Sequence, residues 1–390
     1  MTSPTPRVLF YVQYLLGIGH VRRSSLVIQA LANTGVQVDV IFGGVPVPHI
    51  SFAPATLHYL DPVKSADNGF SGLVKADGSE FTDADKHNRS QALLNLCEQL
   101  QPDVIVTETY PFGRRQMRFE LTPLLKWAHS QTVPPLIVSS IRDILQARSP
   151  KREDECIQLI QQQYDNVLIH GDPAFTPLEK SFAKATQIYD QLTYSGYVCP
   201  AKPPAKNREN LIVVSIGGGA VGKEIIQAAQ QLHASGYAAD CQWLLITGPN
   251  MAPEDKDAMS AYNSDNLQVV ELADDFIDSL SRARVSISMA GYNTVMDLLQ
   301  TETPAVVVPF EADSETEQLA RSRLLEAKGL LTIVREHTLT ADTLKHAIEW
   351  SLQQQQQRPP INMQGSEHSA NLLRQWAEQH VQSCQEEANT

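Results

Sequence analysis

Three short stretches of the chain join glycine turns to side chains that can handle protons, phosphates or hydroxyls. In the first, Gly17, Gly19, His20 and Arg22 follow the apolar run Val8–Val12, and Leu26, Ile28 and Leu31 then give a helix its apolar positions. An imidazole titrates near neutral pH, so His20 could take a proton from an attacking hydroxyl or donate to a phosphate. In the second, Gly217, Gly218 and Gly219 follow the β-branched run Leu211–Ile216. Adjacent glycines let backbone N–H groups approach a diphosphate, and a following helix adds its dipole. In the third, Gly291, Asn293, Thr294 and Asp297 follow Val285–Ser288, with Glu317 and Gln318 opening a later helix. Asn293 or Thr294 would cap a helix whose N-terminus stays open to a ligand. Asp297, about one turn further, could accept both hydroxyls of a ribose.

Two other readings of the second stretch are weaker. Gly217 to Lys223 fits G-x-x-x-x-G-K, but the next residue is Glu224 rather than the Ser or Thr that holds Mg²⁺ in a phosphate-loop NTPase. The same glycines fit G-x-G-x-x-G, yet the next strand closes on Thr247 and Gly248, and Asp240 lies at its wrong end for a dinucleotide ribose. Glu108, at the end of one expected strand, and Asp143, just beyond another, rival His20 as proton acceptors; His20 ranks first, Asp143 second and Glu108 third. Arg22, Arg114, Arg115 and Arg142 lie in or beside the same first-half turns and are read as serving an acceptor. Residues Tyr110 to Trp127 carry Arg114, Arg115, Arg118 and Lys126 against Glu120 alone; a solvated helix with one apolar side is favoured over a membrane-facing one. Asp83 and Asp85 read as a charge pair at a helix start. The eleven histidines show no H-x-x-x-H spacing, so no metal site is expected.

The elements that must position these residues alternate between short β-branched runs and helical periodicity, the pattern of parallel sheets built from βαβ units. Strands are expected at Val8–Gln13, Val36–Phe42, Val104–Thr107, Leu136–Ser140 and Val167–His170. A second set is expected at Leu211–Ile216, Gln242–Thr247, Leu267–Val270, Val285–Ser288, Ala305–Val308 and Leu331–Val334. Between the sets, residues 199–210 are rich in proline and polar side chains and read as a linker. This yields an α/β protein with domains at 1–198 and 211–358 and a helical tail at 359–390 that could pack back on the first. Asp61 to Asp85 reads as a long, mobile loop.

Length and charge agree with this division. Three hundred and ninety residues exceed what one hydrophobic core usually serves, and 31 Lys+Arg against 44 Asp+Glu leave a formal charge of −13 that disfavours a nucleic-acid partner. Five scattered cysteines without a C-x-x-C pair point to a reducing compartment. No apolar run is long enough to span a membrane and no secretory leader is visible, so a cytoplasmic protein is expected.

Taken together, the turn at Gly17 to His20, the turn at Ser215 to Gly219, and Gly291 to Asp297 with Glu317-Gln318 resemble the MurG-like branch of the GT-B glycosyltransferases. Pro111 to Arg115, Ser140 to Leu145, His170 to Pro173 and Tyr194 to Tyr197 are similar to a bacterial group of predicted glycosyltransferases within that branch. The resemblance implies two Rossmann-like domains with parallel sheets facing across a cleft that holds the active site. It implies a nucleotide-sugar, most often a UDP-sugar, on the second domain and an acceptor on the first: a small molecule, a glycan or a lipid-linked group met by peripheral membrane contact. Gly217–Gly219 and Gly291–Thr294 would meet the donor diphosphate, and Asp297, Glu317 and Gln318 its ribose or sugar. Transfer would invert the anomeric carbon and need neither metal nor cofactor. Asp297 stands where the family usually has Glu, one methylene longer. Gly19 to Ser24 also resembles the start of the UDP-sugar hydrolase of pseudaminic-acid synthesis. Hydrolysis, or sugar-nucleotide binding without catalysis, therefore stays open as an alternative.

Overall fold

The computed structural model describes all residues except 1–4, 14, 16–18, 49, 67–71, 220, 312–315, 355–358 and 389–390. The chain divides into two compact units, Met1–Val198 with Ile361–Thr390, and Cys199–Pro360.

The first unit runs β1 (Arg7–Val12), α1 (Gly19–Ala32), β2 (Gln37–Phe42), β3 (Thr56–Tyr59), β4 (Val63–Ser65), β5 (Leu73–Lys75), α2 (Asp83–Leu100), β6 (Val104–Glu108), α3 (Arg118–His129), β7 (Leu136–Arg142), α4 (Pro150–Gln163), β8 (Asn166–His170) and β9 (Leu192–Tyr194). Among the described residues its main sheet has the order β3-β2-β1-β6-β7-β8-β9, and its pairings are parallel, with Val8 opposite both Val38 and Val104. Both faces are covered, which is why the strands read as continuous apolar runs. Leu9 and Tyr11 face the layer of α2, α3 and α4, while Val8, Phe10 and Val12 face that of α1.

The second unit runs β10 (Leu211–Ser215), α5 (Lys223–Ala234), β11 (Gln242–Ile246), α6 (Pro253–Ser260), β12 (Leu267–Val270), α7 (Phe276–Arg282), β13 (Val285–Met289), α8 (Tyr292–Thr301), β14 (Ala305–Val308), α9 (Glu317–Glu326), β15 (Thr332–Ile333) and α10 (Ala341–Gln353). Its sheet order, β12-β11-β10-β13-β14-β15, repeats the winding of the first. In each sheet the strand order reverses beside the first strand, at β1/β6 and at β10/β13, and such switch points open a crevice at the carboxyl ends of the strands. All three chemistry-bearing stretches of the sequence begin at these two points.

The last helix, α11 (Gly365–Ala388), returns to the first unit and lays Ala370, Leu373 and Ala377 beside Ile28 and Leu31 of α1. Tyr197 N–H donates to the Asn362 carbonyl at 2.8 Å and Gly365 N–H to the Tyr197 carbonyl at 3.0 Å, so the outgoing and returning chains are stitched together within that unit. Residues 199–210 carry no helix or strand, but they are tethered. The Arg208 guanidinium donates to the carbonyls of Leu280 and Thr301 at 2.8 Å each, near the C-terminal ends of α7 and α8.

The segment read as one long loop, Asp61 to Asp85, is more structured than expected. It contains the antiparallel pair β4–β5, with Val63 opposite Lys75, and then enters α2. Thr82 caps α2 in a reciprocal box with Asp85, and Asp83 pairs with Lys86 at 2.7 Å, so both acids serve the helix start.

Candidate active site

At the first switch point, α1 leaves the end of β1 carrying Gly19, His20, Arg22 and Arg23, and β6 ends on Glu108. His20 Nδ1 lies 2.6 Å from Glu108 Oε1, and Arg23 Nη2 donates to the same oxygen at 2.9 Å. The Thr109 hydroxyl donates to Oε1 as well. Arg114 holds the other oxygen, with Nη2 at 3.1 Å and Nε at 3.3 Å from Oε2. Carboxylate oxygens only accept, so the 2.6 Å contact requires the imidazole proton on Nδ1. The 3.1 Å approach of Arg23 Nη2 to Nδ1 is then two donors converging on one acceptor. Among the described residues no hydrogen bond is made to Nε2, which keeps its lone pair, and the His20 side chain is 20% exposed.

Burial pushes the His20 imidazole down to about 4; the Glu108 charge works against this, and Arg114 and Arg23 add to it. His20 is therefore neutral at pH 7. Although burial acts to raise the Glu108 carboxyl, His20, Arg114 and Arg23 hold it well below the usual carboxylate range. A neutral imidazole oriented by a buried carboxylate, with no hydrogen bond to its second nitrogen among the described residues, is the arrangement of a general base and its orienting group.

Two strands along the same sheet from β6, His170 ends β8 with Nε2 2.7 Å from the Ser140 hydroxyl and Nδ1 3.2 Å and 3.3 Å from those of Ser195 and Ser369. Burial drives its imidazole down to about 3. This buried histidine, partly walled by α11, is a second neutral ring that spacing alone did not reveal.

Several first-half candidates are already engaged within the fold. Glu108 is ranked as a base, but its oxygens already take five hydrogen bonds from four residues, so it orients instead. Asp143 is fully buried and packs on Gly171, where a Cβ would come within 2.8 Å of the aspartate Cβ, leaving an acceptor no approach. Arg114 is committed to Glu108, and Arg115 lies 3.6 Å from Glu155, a carboxylate that also takes Arg118 at 3.2 Å. Three arginines of the basic stretch thus face acids, two of them the single charge of Glu155, and Glu120 is buried against Arg89 at 2.8 Å. Arg22 and Arg142 are half-buried, on α1 and at the end of β7. Gly17 lies outside the described residues.

At the second switch point the three glycines divide by role. Gly219 has φ +82° and its Cβ would fall 2.3 Å from the Thr247 carbonyl oxygen; Gly248 has φ +77° and its Cβ would fall 2.3 Å from that of Gly217. The two turns press on one another and admit no side chain at either position. Gly248→Ala is therefore expected to cost about 1–3 kcal/mol, through a clash and a strained φ together; thermal unfolding checks this. By contrast Gly217 is exposed, Gly218 half-buried, and nothing lies within 4 Å of a Cβ on Gly217. Gly291 begins α8 with no side-chain cap and equally open space, and Asn293 and Thr294 are half-buried in its first turn. Open backbone from two strand-to-helix turns thus flanks one switch point, as an anion site requires.

The acids behave differently. Asp297 is 1% exposed, so the ribose contact expected of it is not available at the surface. Glu317 is buried in an ion pair with Arg321 at 2.7 Å, and the Arg321 guanidinium stacks 5.2 Å from the centre of the Tyr292 ring. Arg321, which no motif marked, thereby ties the first turns of α8 and α9 together. The Gln318 side-chain oxygen accepts from Phe310 N–H at 3.2 Å. Glu317 and Gln318 are thus engaged at the start of α9, with Arg321 and with Phe310.

Residues 213–378 match the glycosyltransferase family 28 C-terminal domain. The match takes in most of the second unit and runs on into α11. Over 150 residues the chain is 25% identical to the UDP-N-acetylglucosamine--N-acetylmuramyl-(pentapeptide) pyrophosphoryl-undecaprenol N-acetylglucosamine transferase of Thermosipho africanus, a match spanning 38% of this chain and 42% of that relative's length. MurG of Acinetobacter baumannii has a similar structure at TM-score 0.59 and 15% identity, covering 95% of this chain and 99% of the other. A Listeria monocytogenes structure assigned as a UDP-N-acetylglucosamine 2-epimerase gives TM-score 0.58 at 13% identity over 97% of both chains. The fold is GT-B, two parallel sheets as the family 28 resemblance implies. No helix of the described residues is long and apolar enough to cross a membrane.

Proposed function

We propose that the protein is a glycosyltransferase that moves a sugar from a nucleoside-diphosphate sugar, a UDP-sugar first among them, to an acceptor hydroxyl. The observation that carries this reading is His20, neutral, anchored through Nδ1 to Glu108 and presenting Nε2. Nε2 takes the proton as the acceptor oxygen attacks the anomeric carbon, and Glu108 steadies the imidazolium that forms. The bond from the anomeric carbon to the diphosphate breaks, and the leaving charge falls on the open backbone around Gly217, Gly218 and Gly291 and on the N-terminus of α8. Attack opposite the leaving group inverts the anomeric carbon. Neither a metal nor a cofactor is assigned to this step. The acceptor is a hydroxyl of a small molecule, glycan or lipid-linked group, the last being the class that the Thermosipho relative's name carries.

The test is thermal unfolding with UDP, GDP, dTDP, CDP, ADP and NAD, with and without Mg²⁺. A ligand at about 100 times its Kd stabilises by roughly 2.7 kcal/mol, which reads as several degrees. Selective stabilisation by UDP without Mg²⁺ is expected. A shift with NAD and none with any diphosphate would return the Gly217 turn to dinucleotide binding. UDP release from a UDP-sugar that no added acceptor accelerates would make the enzyme a hydrolase.

A further inference from the structure

The loop between β6 and α3 is built around one carboxylate. Thr109 sits in the left-handed region at φ +65°, which a β-branched residue enters only under strain. Its N–H is held by the Ser140 carbonyl at 2.8 Å, so the turn begins at once after Glu108 and the Thr109 hydroxyl swings back onto Glu108 Oε1. The chain then passes Gly113, where a Cβ would fall 2.6 Å from the Thr109 methyl carbon, so only glycine lets the loop close over that side chain. Arg114, also left-handed at φ +56°, returns its guanidinium to Oε2. Two non-glycine residues in this region within six positions, both donating to the same carboxylate, concentrate the strain at one point.

We infer that Thr109 is a positioning residue: its strained backbone and its hydroxyl fix the Glu108 carboxylate so that His20 keeps its proton on Nδ1 and presents Nε2. The inference rests on the proposed role of His20 as base, but its signature is the state of the imidazole and needs no substrate. Without the hydroxyl, Oε1 loses one of its three donors and the carboxylate can turn about its last side-chain bond. Arg23 and Arg114 still neutralise it, so the loss is of direction rather than of charge. The charged and titratable groups facing the carboxylate are His20 and Arg23 from α1 and Arg114 from the loop; His170 ends β8, two strands along the same sheet.

The experiment is ¹⁵N NMR of the histidine ring nitrogens in the full-length protein, with the His20 signals assigned by their loss in His20→Gln. Thr109→Ser keeps the hydroxyl and is expected to leave the Nδ1–H tautomer dominant, as in the parent. Thr109→Val, which removes the hydroxyl at nearly the same volume, is expected to give a mixed tautomer. Thr109→Gly relieves the backbone and is expected to raise or preserve the melting temperature while showing the same mixture, separating positioning from stability. Unchanged His20 signals in both Thr109→Val and Thr109→Gly overturn the inference, whether or not His20 proves to be the base. In turnover of UDP-N-acetylglucosamine the mixed tautomer is expected to cost about 10- to 100-fold in kcat at unchanged KM, the scale of a misplaced reacting group. A Thr109→Val enzyme at full kcat beside an inactive His20→Ala enzyme overturns the inference and leaves the base assignment standing.

Discussion

His20→Ala is expected to lower turnover by roughly 10²–10⁴-fold, the contribution of a positioned general base, while nucleotide-induced stabilisation stays as in the parent. The separation follows from geometry: His20 belongs to the first unit's switch point, whereas the open glycine backbone belongs to the second. Steady-state kinetics beside thermal shifts with UDP check both halves, and full turnover in the variant would remove His20 from the base role. The same site sets the pH dependence. With the imidazole lowered to about 4, the base stays unprotonated well below neutrality. The acidic limb of kcat/KM is accordingly expected below pH 5 rather than near 6.5. Stability should move in the same direction. A histidine whose folded value lies below its unfolded 6.5 leaves the unfolded chain binding more protons between the two. Its stabilisation is therefore complete above about 6.5 and is lost as pH falls, toward about 4 for His20 and about 3 for His170. Glu108, held well below the usual carboxylate range, adds stability above its unfolded value that is likewise lost on acidification. Urea midpoints should stay level from pH 7.5 to about 6.5 and then decline continuously to pH 4.5.

Arg89→Ala should be the most destabilising single change in the first unit, at about 3–5 kcal/mol, because it strands a buried carboxylate. Arg89 and Glu120 are both fully buried, with Arg89 Nε 2.8 Å from Glu120 Oε2. The same guanidinium donates to Gln13 at 2.6 Å, to the Gly43 carbonyl at 3.1 Å and to the Asp61 carbonyl, while Tyr11 donates to Glu120. One side chain from α2 thus ties the exits of β1 and β2, the stretch after β3, and α3. Replacing both partners, Arg89→Met with Glu120→Leu, is expected to recover much of the loss, since no charge is then left buried alone. Chemical denaturation of the three proteins checks the sequence of stabilities. An Arg89→Ala protein within about 1 kcal/mol of the parent would show that the carboxylate finds water or another partner.

What the sequence made legible is the part of the fold that is buried on both sides. Stretches such as Val104–Val106 and Ala305–Val308 are uninterrupted apolar runs because helices cover both faces. The strands that escaped reading are edges or short pairs. Thr56–Tyr59 is largely exposed and contains His58, and Leu192–Tyr194 has only three residues. The turns were legible because glycine is a local signal. Arg23, Arg89 and Arg321 were not, since an arginine in an amphipathic helix reads as solvent-facing unless its partner is known, and Glu108, Glu120 and Tyr292 lie on other elements. His20 was visible as a residue at a turn; the carboxylate that orients it, 88 positions away, became its partner only through the winding of the sheet.

The return of α11 bears on how the protein is made. A ribosome completes domains from the N-terminus, and units usually fold in that order. Here the apolar face of α1 that receives Ala370, Leu373 and Ala377, and the Ser369 hydroxyl beside His170, wait for the last helix. All residues of the second unit, Cys199–Pro360, leave the ribosome before the first has its final wall. The nascent first unit thus carries an uncovered hydrophobic face through the synthesis of an entire second one. A fragment cut at residue 198 would keep that face permanently, and one cut at the family match, 213–378, would carry part of a helix that belongs elsewhere.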